Sequence, residues 1–121
     1  MTHQNVFEIG EPQGHIAVEK LHFDLTGQHM PAPFAPVLVG VVGSGNLEVL
    51  LEPTAAAGCT LDITTSAHGF APIWQAVVED FQARHGLTGV AVSINDMGAT
   101  PAVVSLRLDQ AAAALSMKAR A

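Results

Sequence analysis

A serine between two glycines is the feature of this sequence best suited to chemistry. Ser44 is flanked by Gly43 and Gly45, and an apolar run lies on either side of the trio. Two apolar runs joined by a short Gly/Ser/Asn segment predict a β-hairpin, with Ser44-Gly45 or Gly45-Asn46 as the central turn pair. The glycines leave the hydroxyl open to approach, as in a serine that another protein modifies. The alternative is an ordinary turn serine, whose hydroxyl bonds to nearby backbone groups.

Other patterns associated with catalysis or metal binding do not occur in the sequence. Ser44 is not the nucleophile of a Gly-x-Ser-x-Gly elbow, because Val42 occupies the first glycine position. There is no Gly-Lys-Ser/Thr phosphate-binding loop, and none of the six histidines forms a close pair with another metal-type residue at the spacing of a helical or zinc-finger site. The lone cysteine, Cys59, has no adjacent cation to activate it, so we expect a small buried hydrophobic residue.

The composition limits the classes of protein to which this chain can belong. The 121 residues, 49% of them hydrophobic, are enough for one domain with a single core. Only 13% are charged, and the net charge is −6, which leaves no basic surface for nucleic acid or an anionic membrane. This balance suits docking to basic surfaces of partner proteins. The sequence shows neither a secretory leader nor an apolar stretch of membrane-spanning length, so we expect a cytoplasmic protein.

The elements that must position Ser44 begin with strands. Apolar and polar residues alternate over 21–25, which predicts a half-buried strand at a sheet edge. The segment 26–36 contains three prolines and a glycine and is predicted to be a connector. The hairpin strands follow at 37–42 and 47–51, and Pro53 ends the second one.

A strand, a helix and another strand follow the hairpin. The clean alternation at 59–65 predicts a strand with one apolar face, and 90–95 has the same pattern. Between them, Pro72 suits the start of a helix and Gly86 its C-cap. The predicted apolar stripe of this helix consists of Ile73, Trp74, Val77, Val78 and Phe81.

The last element is predicted to be a helix. Thr100-Pro101 is a typical start signal, and the alanines at 111–114 favour a helix over a competing strand through 102–109. Its apolar face consists of Val104, Leu108, Ala111 and Leu115. Asn95-Asp96 lies shortly before Gly98, so Asp96 is predicted to be a turn residue that caps this final helix.

Together these elements predict an α+β fold. A small antiparallel sheet with two helices packed on one face satisfies the alternation, and the other sheet face stays free to meet a partner. Residues 1–19 lack periodicity and are predicted to be a flexible N-terminal extension. Residues 20–116 would form the domain, and 117–121 a C-terminal tail.

Three segments resemble the acyl-carrier (delta) subunit of malonate decarboxylase. They are Val-Gly-Ser-Gly-Asn-Leu-Glu-Val-Leu-Leu-Glu-Pro at 42–53, Ile-Asn-Asp-Met-Gly-Ala-Thr-Pro at 94–101, and Val-Val-Ser-Leu-Arg-Leu at 103–108. The resemblance covers roughly residues 21 to 113, in the family's order and spacing. One departure is Asn46, where we expect the family to have aspartate, so that a charge is missing beside the serine.

This resemblance implies a non-catalytic carrier. It implies that Ser44 bears phosphoribosyl-dephospho-CoA through a phosphodiester and carries acetyl and malonyl thioesters, with Gly43 and Gly45 letting a foreign active site approach. The implied partners are the acyl-transferase and decarboxylase subunits of malonate decarboxylase, a malonyl transferase and a prosthetic-group transferase, without nucleic acid or membrane. Two alternatives stay open: a citrate lyase-type acyl carrier subunit, whose Asp-x-Gly-Ala segment is similar, and a protein-interaction domain with an unmodified serine.

Overall fold

The protein folds into a six-stranded sheet and two helices. The structure, a computed structural model, describes residues 3–9, 18–41 and 44–119. The strands lie in the order β1-β2-β5-β6-β4-β3 across the sheet. Their bounds are β1 His3–Ile9, β2 Val18–Leu25, β3 Val37–Val41, β4 Ser44–Pro53, β5 Cys59–Thr65 and β6 Val90–Asp96, and the helices are α1 Ala71–His85 and α2 Pro101–Ala119.

The sheet is mixed. Every neighbouring pair of strands is antiparallel except β5 and β6, which run parallel. The α+β fold with two helices is confirmed, but the expectation of a wholly antiparallel sheet is wrong for this one pair. The reason is the connection: α1 follows β5 and returns the chain to the end of the sheet where β5 began, so β6 must run the same way.

The core lies between one sheet face and both helices. Alternate residues of each central strand are buried, as the alternation in the sequence predicted. The strands contribute Leu21, Phe23, Leu25, Val37, Leu47, Val49, Leu51, Cys59, Leu61, Ile63, Val90, Val92 and Ile94. The helices contribute Trp74, Val78, Phe81, Val104, Leu108, Ala111, Ala112 and Leu115. The helices therefore cover one face of the sheet, and most of the polar residues of β2, β5 and β6 lie on the other.

Helix α1 has the predicted ends but a narrower buried stripe. Gly86 is the C-cap, with φ 56° in the left-handed region that favours glycine. The buried residues are Trp74, Val78, Phe81 and Gln82. Ile73 is 45% exposed, so its assignment to the core stripe is wrong. Residues 74, 78 and 81 lie directly over the sheet, and Ile73, one residue earlier, is turned to the side of the helix.

Helix α2 resolves the ambiguity at 102–109 in favour of helix. Thr100 is its N-cap: the Oγ1 atom of Thr100 accepts a hydrogen bond from the N–H of Val103 at 3.3 Å. The N–H of Val104 donates to the carbonyl of Thr100 at 3.0 Å. All four predicted apolar positions of this helix are buried. Within the residues that the structure describes, neither helix is long and apolar enough to cross a membrane.

The N-terminal segment is part of the sheet. We expected residues 1–19 to be a flexible extension, but β1 pairs with β2 along its whole length, from His3↔Asp24 to Ile9↔Val18. Strand β2 is consequently an interior strand and not the predicted edge. Pairing with an open sheet edge needs backbone donors and acceptors but no apolar alternation, so the sequence pattern carried no signal for it. Residues 10–17 lie outside the described part of the chain.

Candidate functional site

Ser44 is the first residue of β4, at the end of the β3–β4 hairpin. Val41 of β3 pairs with Ser44, so residues 42–43 connect the two strands. The predicted turn pairs, Ser44-Gly45 and Gly45-Asn46, are therefore wrong by two and three positions, because both lie within β4. Gly43 lies outside the described residues. The hairpin itself is confirmed, with Ser44 directly beside its connection.

An irregularity in the pairing explains the displaced turn. Val39 pairs with Val49 and Val41 with Ser44, so one residue of β3, Gly40, faces four residues of β4. Gly40 has φ 83°, and Asn46 has φ 58°. Both values lie in the left-handed region, which glycine adopts freely and which asparagine tolerates better than most residues. The extra residues of β4 are thus absorbed in a bulge below Ser44.

The bulge also explains why position 46 holds an asparagine. A positive φ favours glycine, asparagine or aspartate. Asparagine in place of the expected aspartate keeps this backbone preference and removes one negative charge near Ser44. The backbone carbonyl of Asn46 accepts a hydrogen bond from the N–H of Met97 at 2.9 Å. The base of the hairpin end is thereby tied to the end of β6.

Asp96 organises the junction beside the hairpin. It pairs with Leu47 of β4 and is 3% exposed. Its Oδ1 atom accepts hydrogen bonds from the N–H groups of Gly98 at 3.3 Å and Ala99 at 2.8 Å, and its Oδ2 atom accepts one from Thr65 Oγ1 at 2.8 Å. The turn role predicted for Asp96 is confirmed, but the capping role is wrong, since its carboxylate closes the loop before α2 and not the helix itself.

An apolar cavity of about 270 Å³ opens at the same end of the sheet. It lies between the N-terminal turns of the two helices, and its walls are Ala67, Phe70, Ile73, Trp74, Val77, Asp96, Gly98, Ala99, Pro101 and Val104. Strand β6 ends at Asp96, and the antiparallel β4 begins at Ser44, so the cavity and the hairpin end share one end of the sheet. The exposed Ile73 side chain is one wall of this cavity.

Arg107 reaches the hairpin from α2. A β-carbon built on Gly40 would lie 3.4 Å from Arg107 Nε and 3.5 Å from Arg107 Cδ. The Nε atom is buried and has no hydrogen-bond partner among the described residues. Arg107 Nη1 donates to Gln110 Oε1 at 3.1 Å. The sequence placed Arg107 in a segment of family resemblance but gave no sign that it contacts the hairpin, because only the fold brings residues 40 and 107 together.

The other reactive side chains of the described residues include a buried cysteine and a histidine paired with carboxylates. Burial raises the pKa of the Cys59 thiol to about 12, so the predicted inert, buried cysteine fits its surroundings. On the helix-free sheet face, His22 Nδ1 lies 2.6 Å from Asp62 Oδ1, and His22 Nε2 lies 2.9 Å from Asp24 Oδ1. The hydrogen bond to Asp62 is the main cause of a raised pKa of His22. In the part of the chain that the structure describes, no His, Cys, Asp and Glu residues group in a way that could hold a metal ion.

Comparison with known proteins assigns the chain to a family. Residues 35–115 match the family described as the malonate decarboxylase delta subunit (MdcD). The chain belongs to this family. The matched residues run from just before β3 into α2, and so contain Ser44, the bulge, Asp96 and Arg107.

Several relatives in the malonate decarboxylase family are named as its acyl carrier protein. The protein of Burkholderia cepacia is 67% identical over 96 residues, which cover 79% of this chain and 89% of that protein. The protein of Acinetobacter calcoaceticus is 50% identical over 95 residues, covering 78% of this chain and 93% of that protein. A chain in the crystal structure of a Pseudomonas malonate decarboxylase hetero-tetramer in complex with malonate is 36% identical, with a TM-score of 0.66, over 81% of this chain and 97% of that one. The expected family is confirmed over the citrate lyase-type alternative.

Proposed function

We propose that this chain is the acyl carrier subunit of a malonate decarboxylase and that Ser44 carries phosphoribosyl-dephospho-CoA through a phosphodiester. The carrier role rests on the family and its named relatives. One structural observation supports the choice of Ser44: within the family-matched residues, it is the first residue of β4, directly after the hairpin connection. A group attached there would extend from the end of the sheet and leave the core between sheet and helices undisturbed.

Contacts between β4 and β6 support the strand to which the group would be attached. Leu47 of β4, three residues after Ser44, is fully buried. The pairing of Leu47 with Asp96 and the hydrogen bond from Met97 to the Asn46 carbonyl hold this part of β4 against β6. Ser44 is therefore presented at a fixed place at the end of the sheet. The bound group supplies the thiol on which acetyl and malonyl thioesters are carried.

A carrier accelerates the reactions of its partners by concentration and not by chemistry of its own. A group tethered to Ser44 meets each partner active site as an intramolecular reactant. The partners that we propose are the acyl-transferase and decarboxylase subunits, a malonyl transferase that supplies malonyl groups, and the transferase that installs the prosthetic group. The Pseudomonas relative is part of a hetero-tetramer, which supports an assembly with other subunits. The net charge of −6 favours basic docking surfaces on them.

Gly43 and Gly45 keep the access role proposed for them on both sides of Ser44. Neither residue adds a side chain beside the serine, so a foreign active site can approach the backbone closely. The cytoplasmic location implied by the resemblance stays a prediction.

Incorporation of a labelled prosthetic group tests this function directly. Apo protein would be incubated with the prosthetic-group transferase and a labelled donor, as wild type, as Ser44→Ala and as Ser93→Ala. Ser93 lies in β6 on the helix-free face and provides a matched serine away from the hairpin. We expect equal incorporation into wild type and Ser93→Ala and none into Ser44→Ala, with unchanged circular dichroism. Incorporation into Ser44→Ala at the wild-type level would refute Ser44 as the attachment site.

A further inference from the structure

Arg107 carries a positive charge that no carboxylate balances within the described residues. Its Nη1 atom donates to the neutral Gln110, and none of the carboxylates among the described residues forms an ion pair with it. Arg84, by contrast, forms ion pairs with Asp80 and Asp109. An arginine without a carboxylate is unexpected in a chain with eleven acidic residues and five basic ones.

The Nε atom of Arg107 adds a second anomaly. It is buried and lacks a hydrogen-bond partner among the described residues. A buried N–H group that loses its bonds to water without gaining others costs stability, and buried polar groups in proteins are nearly always satisfied. An N–H donor on a cationic group, left open in this way, indicates an anionic acceptor that binds beside it.

The position of Arg107 identifies where that acceptor would be. The Nε and Cδ atoms of Arg107 lie over Gly40, where a β-carbon would contact both. Gly40 precedes Val41, the pairing partner of Ser44. With about 3.8 Å between consecutive Cα atoms and about 4.5–5.5 Å between paired ones, the Cα atoms of Gly40 and Ser44 lie within about 10 Å of each other. The absence of a side chain at Gly40 lets the guanidinium lie against the hairpin.

We propose that Arg107 is a binding residue for the phosphodiester that joins the prosthetic group to Ser44. This inference rests on the proposed function. The planar guanidinium presents its N–H groups in a fork that matches two oxygens of a phosphate, which a lysine could not reproduce. Bound in this way, the phosphodiester satisfies the open Nε donor and balances the charge of Arg107. Arg107 then fixes the first bonds of the arm relative to the sheet, so that the rest of the arm swings from a defined point.

Nuclear magnetic resonance of the apo and loaded full-length protein tests the proposal without an activity assay. Intact mass and peptide mapping first establish that the group is on Ser44. In protein with ¹⁵N-labelled arginine, we expect loading to shift the Arg107 Nε–H signal and slow its exchange with water, while the Arg84 signal stays unchanged. In ³¹P spectra, Arg107→Gln should shift the phosphodiester resonance, with the diphosphate of the dephospho-CoA part as internal reference.

Control variants separate a specific contact from a general effect of charge. Arg84→Gln removes an equal charge at a guanidinium whose partners are Asp80 and Asp109, and should leave the phosphodiester resonance in place. Arg107→Lys keeps the charge without the fork and should restore the wild-type resonance only in part. If Arg107→Gln fails to fold, the apo and loaded wild-type spectra still decide the matter.

The outcomes distinguish this inference from the proposed function. If the group is on Ser44 and the Arg107 Nε–H signal is the same in apo and loaded protein, the inference is overturned and the proposed function stands. If Arg84→Gln moves the phosphodiester resonance as much as Arg107→Gln does, a specific contact is likewise overturned. If the group is on another residue, or on none, both are overturned.

Discussion

Replacing Gly40 by alanine should destabilise the hairpin that carries Ser44. The expected loss of unfolding free energy is larger than the cost of an alanine in the left-handed region alone. Gly40 has φ 83°, and Gly69, in the loop before α1, has φ 84°. Either alanine variant costs about 1–2 kcal/mol for the left-handed backbone. A β-carbon on Gly40 would also come closer than 3.0 Å to the carbonyl oxygen of Leu47, whereas one on Gly69 meets nothing within 4 Å.

The close contact with the Leu47 carbonyl adds a cost at Gly40 that Gly69 does not have. Leu47 is fully buried and paired with β6, so its carbonyl cannot move without shifting the bulge. Forced backbone shifts of this kind cost about 1–3 kcal/mol. We therefore expect Gly40→Ala to lose about 2–5 kcal/mol of unfolding free energy and Gly69→Ala about 1–2 kcal/mol.

Denaturant unfolding of the two apo variants measures this difference. Each variant gains the same small stabilisation from a less flexible unfolded chain, so that effect cancels in the comparison. The midpoint for Gly40→Ala should lie below that for Gly69→Ala, with equal m values. Equal midpoints would refute the close packing of Gly40 against β4 and, with it, the bulge that we describe below Ser44.

Three further predictions concern the core, the surface and the site. Trp74→Ala should cost about 3–5 kcal/mol, since Trp74 is only 6% exposed, and calorimetry showing an unchanged melting temperature would contradict its role as the anchor of α1. The pKa of His22 is raised above 6.5 chiefly by Asp62, so charged His22 stabilises the fold fully below 6.5 and the contribution is lost as pH rises through the folded value. Asp62→Asn should flatten that decline in a pH series of unfolding midpoints, and a series parallel to wild type would count against the ion pair. Gly43→Val and Gly45→Val should fold but accept less labelled prosthetic group from its transferase than wild type does. Full incorporation into both variants would show that neither glycine is needed for access to Ser44.

The sequence was sufficient to predict the helix ends and strands where local signals and tertiary structure agreed. Helix α2 begins at the predicted Thr100-Pro101 signal, and Gly86 ends α1, because caps depend on backbone geometry within a single turn. Alternation located β5 and β6 and their buried faces, because one apolar side of a strand can be read directly from the residue types.

The sequence was insufficient where distant residues decide the geometry. The predicted turn beside Ser44 was two or three residues too late, because the bulge depends on the pairing of β3 with β4. The strand β1 escaped notice since edge pairing uses backbone groups alone. Arg107 had no visible role until the fold placed it against Gly40. Ser44 as the attachment point came from the family resemblance, because the turn residues by themselves favoured an ordinary turn serine.

The mass of the protein isolated from its own host tests the central claim most directly. We expect the intact protein to exceed its sequence mass by one phosphoribosyl-dephospho-CoA, and peptide mapping to place the added mass on Ser44. Protein from a foreign host without the prosthetic-group transferase provides the unmodified reference. An unmodified mass in the native host under conditions where malonate is being consumed, or an added group on any other residue, would contradict the account.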